Sequence, residues 1–156
     1  MKKILLKTVM LLLACSFFVL LSSCGSGEKG TLFWAQDIAE QFPFKYSTIY
    51  SDDFSESDDY FFSTEMKKKI FGENAGKYTY IISVSGHFSR DMVSGSEVIV
   101  VHIDDRSHRA EITSVLYRRA AMNLDVTSRV WCEGDYVFLI CDSRADEIIE
   151  YIKSKM

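Results

Sequence analysis

From residue 77 onward the apolar positions switch between two periods, and each switch marks an element. Tyr78, Tyr80, Ile82 and Val84 alternate with Thr79, Ile81 and Ser83, the period of a half-buried strand. Glu97 to Ile103 is an almost unbroken β-branched run and reads as a second strand. The period then lengthens. Ile112, Val115, Leu116, Ala120 and Leu124 form one stripe of a helix, with Ser107 as its expected N-cap and Arg109, Glu111, Arg118 and Arg119 largely off the stripe. Thr127–Cys132 and Asp135–Cys141 return to strand character around the tight turn Glu133-Gly134-Asp135. Ala145, Ile148, Ile149 and Ile152, at i, i+3, i+4 and i+7, make a last helix, which Ser143 and Asp146 would open as a capping-box variant.

Earlier in the chain, Trp34, Ala35, Ile38, Ala39 and Phe42 predict a helix over 31–42, stopped by Pro43. Tyr46–Tyr50 reads as a short strand. Ser51–Ser63 is the most polar stretch, with Asp52, Asp53, Glu56, Asp58 and Asp59 close together. Ser63 caps a short helix that runs to Phe71 and ends at Gly72. Gly86–Gly95 reads as a loop.

The order strand–strand–helix–strand–strand–helix is best met by an α+β fold. An antiparallel sheet is built from two β-hairpins, each followed by a helix, with an extra N-terminal helix. Tyr136–Ile140 is apolar on both alternating faces, so that strand is expected inside the sheet with both faces covered.

The first residues follow another logic. Lys2, Lys3 and Lys7 precede an apolar run from Ile4 to Leu21, and Leu21-Ser22-Ser23-Cys24 closes it. A basic start, an apolar middle and small residues at the cut are the layout of a secretory signal. Leu-Ser-Ser-Cys resembles the bacterial lipobox, in which the cysteine is lipidated and becomes the new N-terminus. The competing reading is a transmembrane anchor, since the run approaches bilayer-spanning length. The lipobox reading divides the chain into a signal peptide (1–23), a lipidated Cys24 with a flexible linker (24–30), and one α+β domain (31–156). It places the protein at the cell membrane, lipid-anchored on the extracytoplasmic face. In a host with an outer membrane, Gly25 after the cysteine favours transport there.

Processing would leave 133 of the 156 residues, enough for one real core. The removed segment carries three lysines and no acid, so the formal charge moves from −4 to −7. An acidic domain of this size excludes nucleic acid as a natural partner, because phosphates call for basic surface. Its hold on the membrane must come from the lipid on Cys24. Cys15 leaves with the signal, so Cys132 and Cys141 are the remaining thiols. With Gly134 and Asp135 as turn residues, Cys132 faces Val137 and Cys141 faces Ser128. Four residues along a strand separate the two thiols by about 13–14 Å, beyond the ~7 Å limit between Cα atoms for a disulfide.

Candidate chemistry is sparse. The chain has no Gly-x-Ser-x-Gly, His-Glu-x-x-His, Cys-x-x-Cys, Walker loop or Gly-x-Gly-x-x-Gly. The acidic stretch lacks the glycine of an EF-hand and reads as a solvated loop, the alternative being an ad hoc cation site. His102, Asp104 and His108 are weak zinc candidates, against a plain strand-to-helix turn. A triad drawn from Ser85, Ser94, His87 and Asp91 would be arbitrary, because a triad is a matter of geometry. Phe88, Met92 and Val93 sit in the expected 86–95 loop and either face a partner or fold back on the core. No catalytic residue and no cofactor is expected.

The lipobox, Ser96-Glu97-Val98-Ile99-Val100-Val101 as a strand opened by an acidic residue, the helix bearing Arg118-Arg119, and Gly134-Asp135-Tyr136-Val137-Phe138-Leu139-Ile140 together resemble a family of uncharacterised lipoproteins. That family comes from low-GC Gram-positive bacteria (Firmicutes) and is catalogued as a domain of unknown function. The resemblance covers about 32–153 and implies the outer face of a single membrane, with no activity to carry over. The functional expectation is a membrane-tethered binding or accessory domain for an unknown protein or small ligand, and not an enzyme. One alternative is a metal-binding protein or metal-dependent enzyme using the His102–His108 turn. Another is a structural partner of an envelope complex, docking through the 86–95 loop or an open sheet edge.

Overall fold

A computed structural model describes residues 29–90, 95–123 and 126–156. Helix α1 spans Thr31–Gln41 and strand β1 Ser47–Ser51. Helix α2 (Thr64–Phe71) follows the acidic stretch, and a 3-10 turn (Ala75–Lys77) leads to β2 (Ile81–Ser89). Strand β3 is Glu97–Ile103, and a second 3-10 turn (Arg106–His108) feeds α3 (Arg109–Ala120). Strands β4 (Ser128–Glu133) and β5 (Tyr136–Cys141) form the last hairpin, and α4 (Ala145–Lys155) ends the chain.

The five strands make one antiparallel sheet in the order β1-β2-β3-β5-β4. The α+β expectation holds, with each long hairpin followed by a helix. Strand β5 lies between β3 and β4 and is buried along its whole length, as its two apolar faces require. Helices α2 and α3 cover one face, where Phe62, Ile70, Ile99, Val101, Ile112, Leu116 and Leu139 pack. Helices α1 and α4 cover the other through Trp34, Ile38, Val98, Val100, Phe138, Ile148 and Ile152. Alternating strand residues thus feed two separate cores, and both must be filled for the sheet to be dry.

The last hairpin has the expected register. Cys132 pairs with Val137 and Cys141 with Ser128, and both cysteines are free. Cys141 is buried, which pushes its thiol pKa up, whereas Cys132 is only half-buried beside Thr113. Ser63 caps α2 by accepting from Met66 N–H, and Gly72 ends it at φ 86°.

Four local readings need correction. Residues 86–89 are not loop: β2 runs on to Ser89, and Phe88 packs against Tyr50 and Phe62 at ring-centroid distances of 6.0 and 6.3 Å. Gly86 reads as a breaker, yet it is there for space. A Cβ at this position would lie 2.3 Å from the Phe88 ring. The alternation Tyr78–Val84 is broken by a register shift between Ile81 and Ser83, which leaves Ile82 58% exposed. Ser107 is not the cap before α3. Asp105 accepts from Ser107 N–H and holds the 3-10 turn. The Ser143–Asp146 capping box does not form. Asp142 accepts from Arg144 N–H instead, and Asp146 pairs with Arg129. In both cases an Asp one or two residues earlier reaches the orphan amides first. Among the described residues no helix is long and apolar enough to cross a membrane.

Candidate functional site

Strand β1 is an edge. Its register with β2, together with Arg90 N–H donating to the Tyr46 carbonyl and Asp52 N–H to that of Val84, turns the backbone groups of Thr48 and Tyr50 toward β2. Those of Ser47, Ile49 and Ser51 face outward. Ser51 is satisfied by the chain itself, donating to the Tyr60 carbonyl and accepting from Phe62 N–H. Ser47 and Ile49 have no such partner among the described residues, so two N–H and two C=O groups stand open at strand spacing.

Beside this open edge lies a cleft of about 300 Å³, lined by Ala39 of α1, Ser47, Thr48 and Ile49 of β1, Phe54 and Tyr60 of the acidic stretch, and His87. His87 is only 1% exposed and stacks on Phe44, the rings 4.2 Å apart and nearly parallel. Both ring nitrogens are buried without a hydrogen-bond partner among the described residues. Burial pushes its pKa down to about 4, the Arg144 charge adds to that push, and Asp142 opposes it. At neutral pH the ring is therefore uncharged, with one N–H donor and one nitrogen acceptor unspent.

The same face of β2 carries a second polar feature. Ser51 and Ser85 hydroxyls lie 2.7 Å apart, Ser85 and Thr31 2.9 Å, and Thr31 and Ser83 3.1 Å. Ser51, Ser85 and Thr31 are fully buried. Because these groups satisfy one another, the chain of hydroxyls fastens α1 to β1 and β2 at little cost. Ser83, Ser85 and His87 thus share one face, and of the three only the His lacks partners among the described residues.

The acidic stretch flanks the cleft. Asp52 is the exception to its solvated character. Its carboxylate accepts from Val84 N–H at 2.8 Å and from the Lys67 ammonium at 2.8 Å, binding the stretch to β2 and α2. Asp53, Glu56, Asp58 and Asp59 remain exposed.

The zinc candidates are not brought together. His102 stacks on Tyr136 at 4.5 Å on the α1/α4 side of the sheet, while His108 stacks on Tyr80 at 3.8 Å at the head of α3 on the other side. Asp104 sits in the turn between them, its N–H donating to the Tyr80 carbonyl. No group of three His, Cys, Asp or Glu side chains converges among the described residues. Phe88 lies in β2 rather than a loop, half-buried against the α2/α3 core. Met92 and Val93, like Cys24, lie outside the described residues.

Sequence reasoning named His87 but put it in a loop. The missed signal was the continued alternation Ser83, Ser85, His87 against Val84 and Phe88, which carries the strand through Gly86. No family model, no curated protein and no solved structure matches this chain.

Proposed function

We propose that the protein is an extracytoplasmic lipoprotein, tethered by a lipid on Cys24, whose domain binds rather than catalyses. Its partner is an extended polypeptide segment added to the open edge of β1. The observation that carries this reading is that the unpaired backbone groups of Ser47 and Ile49 and the cleft floored by His87 coincide. An added strand would satisfy the former, and one of its side chains would fill the latter above the buried His87, the usual division between affinity and specificity in strand addition. The exposed acids at 53–59 favour a segment carrying a basic residue at that end. Anchoring rests on Leu21-Ser22-Ser23-Cys24 and the apolar run before it, and the resemblance to uncharacterised Gram-positive lipoproteins points the same way.

Two experiments test the two halves. Cys24→Ala should abolish fatty-acid labelling, leave an unprocessed precursor and release the protein from the lipid-linked pool. Undiminished labelling would end the anchoring half. For the edge, the processed, lipidated protein in detergent is titrated with a panel of extended peptides while amide hydrogen exchange is followed. A binder should slow exchange at Ser47 and Ile49 and leave Thr48 and Tyr50, already bonded to β2, unchanged. Peptides that bind and protect no β1 amide would sink the edge as the site.

A further inference from the structure

Where the linker joins the domain bears on which end faces the bilayer, an inference that rests on the lipid-anchor reading. Lys29 is not free linker. Its carbonyl accepts from the Tyr136 hydroxyl at 2.7 Å, and its ammonium donates to the Lys155 carbonyl at 2.7 Å. The same ammonium lies over the rings of Phe33 and Trp34, 5.3 and 5.1 Å from their centroids. Lys29 is thereby fastened to the first turn of α1, the last turn of α4 and the start of β5. Between Cys24 and Lys29 there are five residue steps. Even fully extended they span about 17 Å.

We infer that a lipid surface is the constant neighbour of the end of the domain carrying Lys29, Phe33, Lys155 and Met156. The pinned Lys29 is held within about 17 Å of the headgroups whatever the linker does. Phe33 and Met156 are 40% and 50% exposed there, apolar side chains suited to a bilayer boundary. The opposite end carries Tyr46 and Met122, each 72% exposed, beside the outer ends of β1, β3 and α3. Six residue steps of β3 separate the two ends, about 20 Å. The Ser47 end of the open β1 edge therefore points away from the membrane, where a partner strand has room to enter.

The test uses the lipidated chain in phosphatidylcholine–phosphatidylglycerol vesicles doped with a nickel-chelating lipid. Nitroxides are placed by Phe33→Cys, Met156→Cys, Tyr46→Cys or Met122→Cys in a Cys132→Ala background. Cys141 is buried and stays unlabelled. Labels at 33 and 156 should relax several-fold faster in nickel-bearing vesicles than in nickel-free ones, and labels at 46 and 122 should hardly change. Equal enhancement at all four sites, or none at any of them while the protein stays on the vesicles, overturns the orientation. Protein that does not sediment with the vesicles overturns the anchor itself, and the orientation with it.

Discussion

His87→Phe is expected to unfold at higher denaturant than the native protein, by a margin that widens as the pH falls. Two effects add. A buried donor and acceptor without partners cost about 1–3 kcal/mol, and a phenyl ring in the stack on Phe44 removes that cost, less a little for its larger size. The second effect is linkage. The folded imidazole titrates at about 4, below the ~6.5 of the unfolded chain. Between those values the unfolded state takes up a proton that the folded state refuses, so the native protein loses stability as pH falls through that window. At pH 4.5 the loss is about 2.5 kcal/mol relative to neutral pH, and His87→Phe lacks it. Arg144 and Asp142, the charged groups that act on the imidazole, remain in both proteins. Urea unfolding at pH 7.5 and 4.5 gives the four numbers needed. A gap between variant and native protein that stays constant with pH would sink the assignment. If His87 also floors a binding cleft, the stabilised variant should bind worse, the trade expected where a functional group is held at the expense of stability.

Glu97→Ala is expected to be among the most damaging single substitutions in the sheet. The Glu97 side chain is 5% exposed and lies under α3. Arg119 reaches it with two nitrogens, at 3.0 and 2.8 Å, and the Asn123 amide donates at 2.9 Å. Removing the carboxylate leaves the Arg119 charge and the Asn123 donor without their partner, a loss of about 3–5 kcal/mol. The pair itself has smaller net worth, because desolvation offsets most of its attraction. Glu97→Leu combined with Arg119→Met should therefore recover most of the loss, and calorimetry or urea unfolding of the single and double variants measures it. A double variant as unstable as the sum of its singles would contradict this account.

Glu97 also illustrates what the chain disclosed and what it withheld. As the first residue of a β-branched run it reads as an acid opening a strand. Its burial is decided by Arg119 and Asn123, more than twenty residues later, and no local period encodes that. The β4–β5 register was legible to the residue, because a two-residue turn at Gly134-Asp135 fixes every pair along the hairpin. The end of β2 was not, because Gly86 carries the same letter whether it breaks a strand or makes room for the Phe88 ring. Ile82 sits in perfect alternation and still faces water, since the bulge beside it answers to the pairing with β3. The candidate site was the least legible part. Phe44 and α1 bury His87 from about forty residues away in sequence, and the openness of β1 depends on where a long polar stretch turns back.

The strand order has a consequence for how the chain reaches this state. The central strand β3 finds one neighbour at once, through its short connection to β2. Its other neighbour, β5, arrives only after α3 and β4 have been made, with Glu97 pairing to Cys141. Until then a chain growing from its N-terminus presents Val98-Ile99-Val100-Val101 as a naked apolar edge, uncharged and without proline. Such an edge invites pairing with another molecule. Closing it requires long-range contacts, which form slowly. The vulnerable species in biogenesis is thus an intermediate with three strands in place, and a holding chaperone that shields β3 until residue 141 has emerged would raise the yield of folded protein.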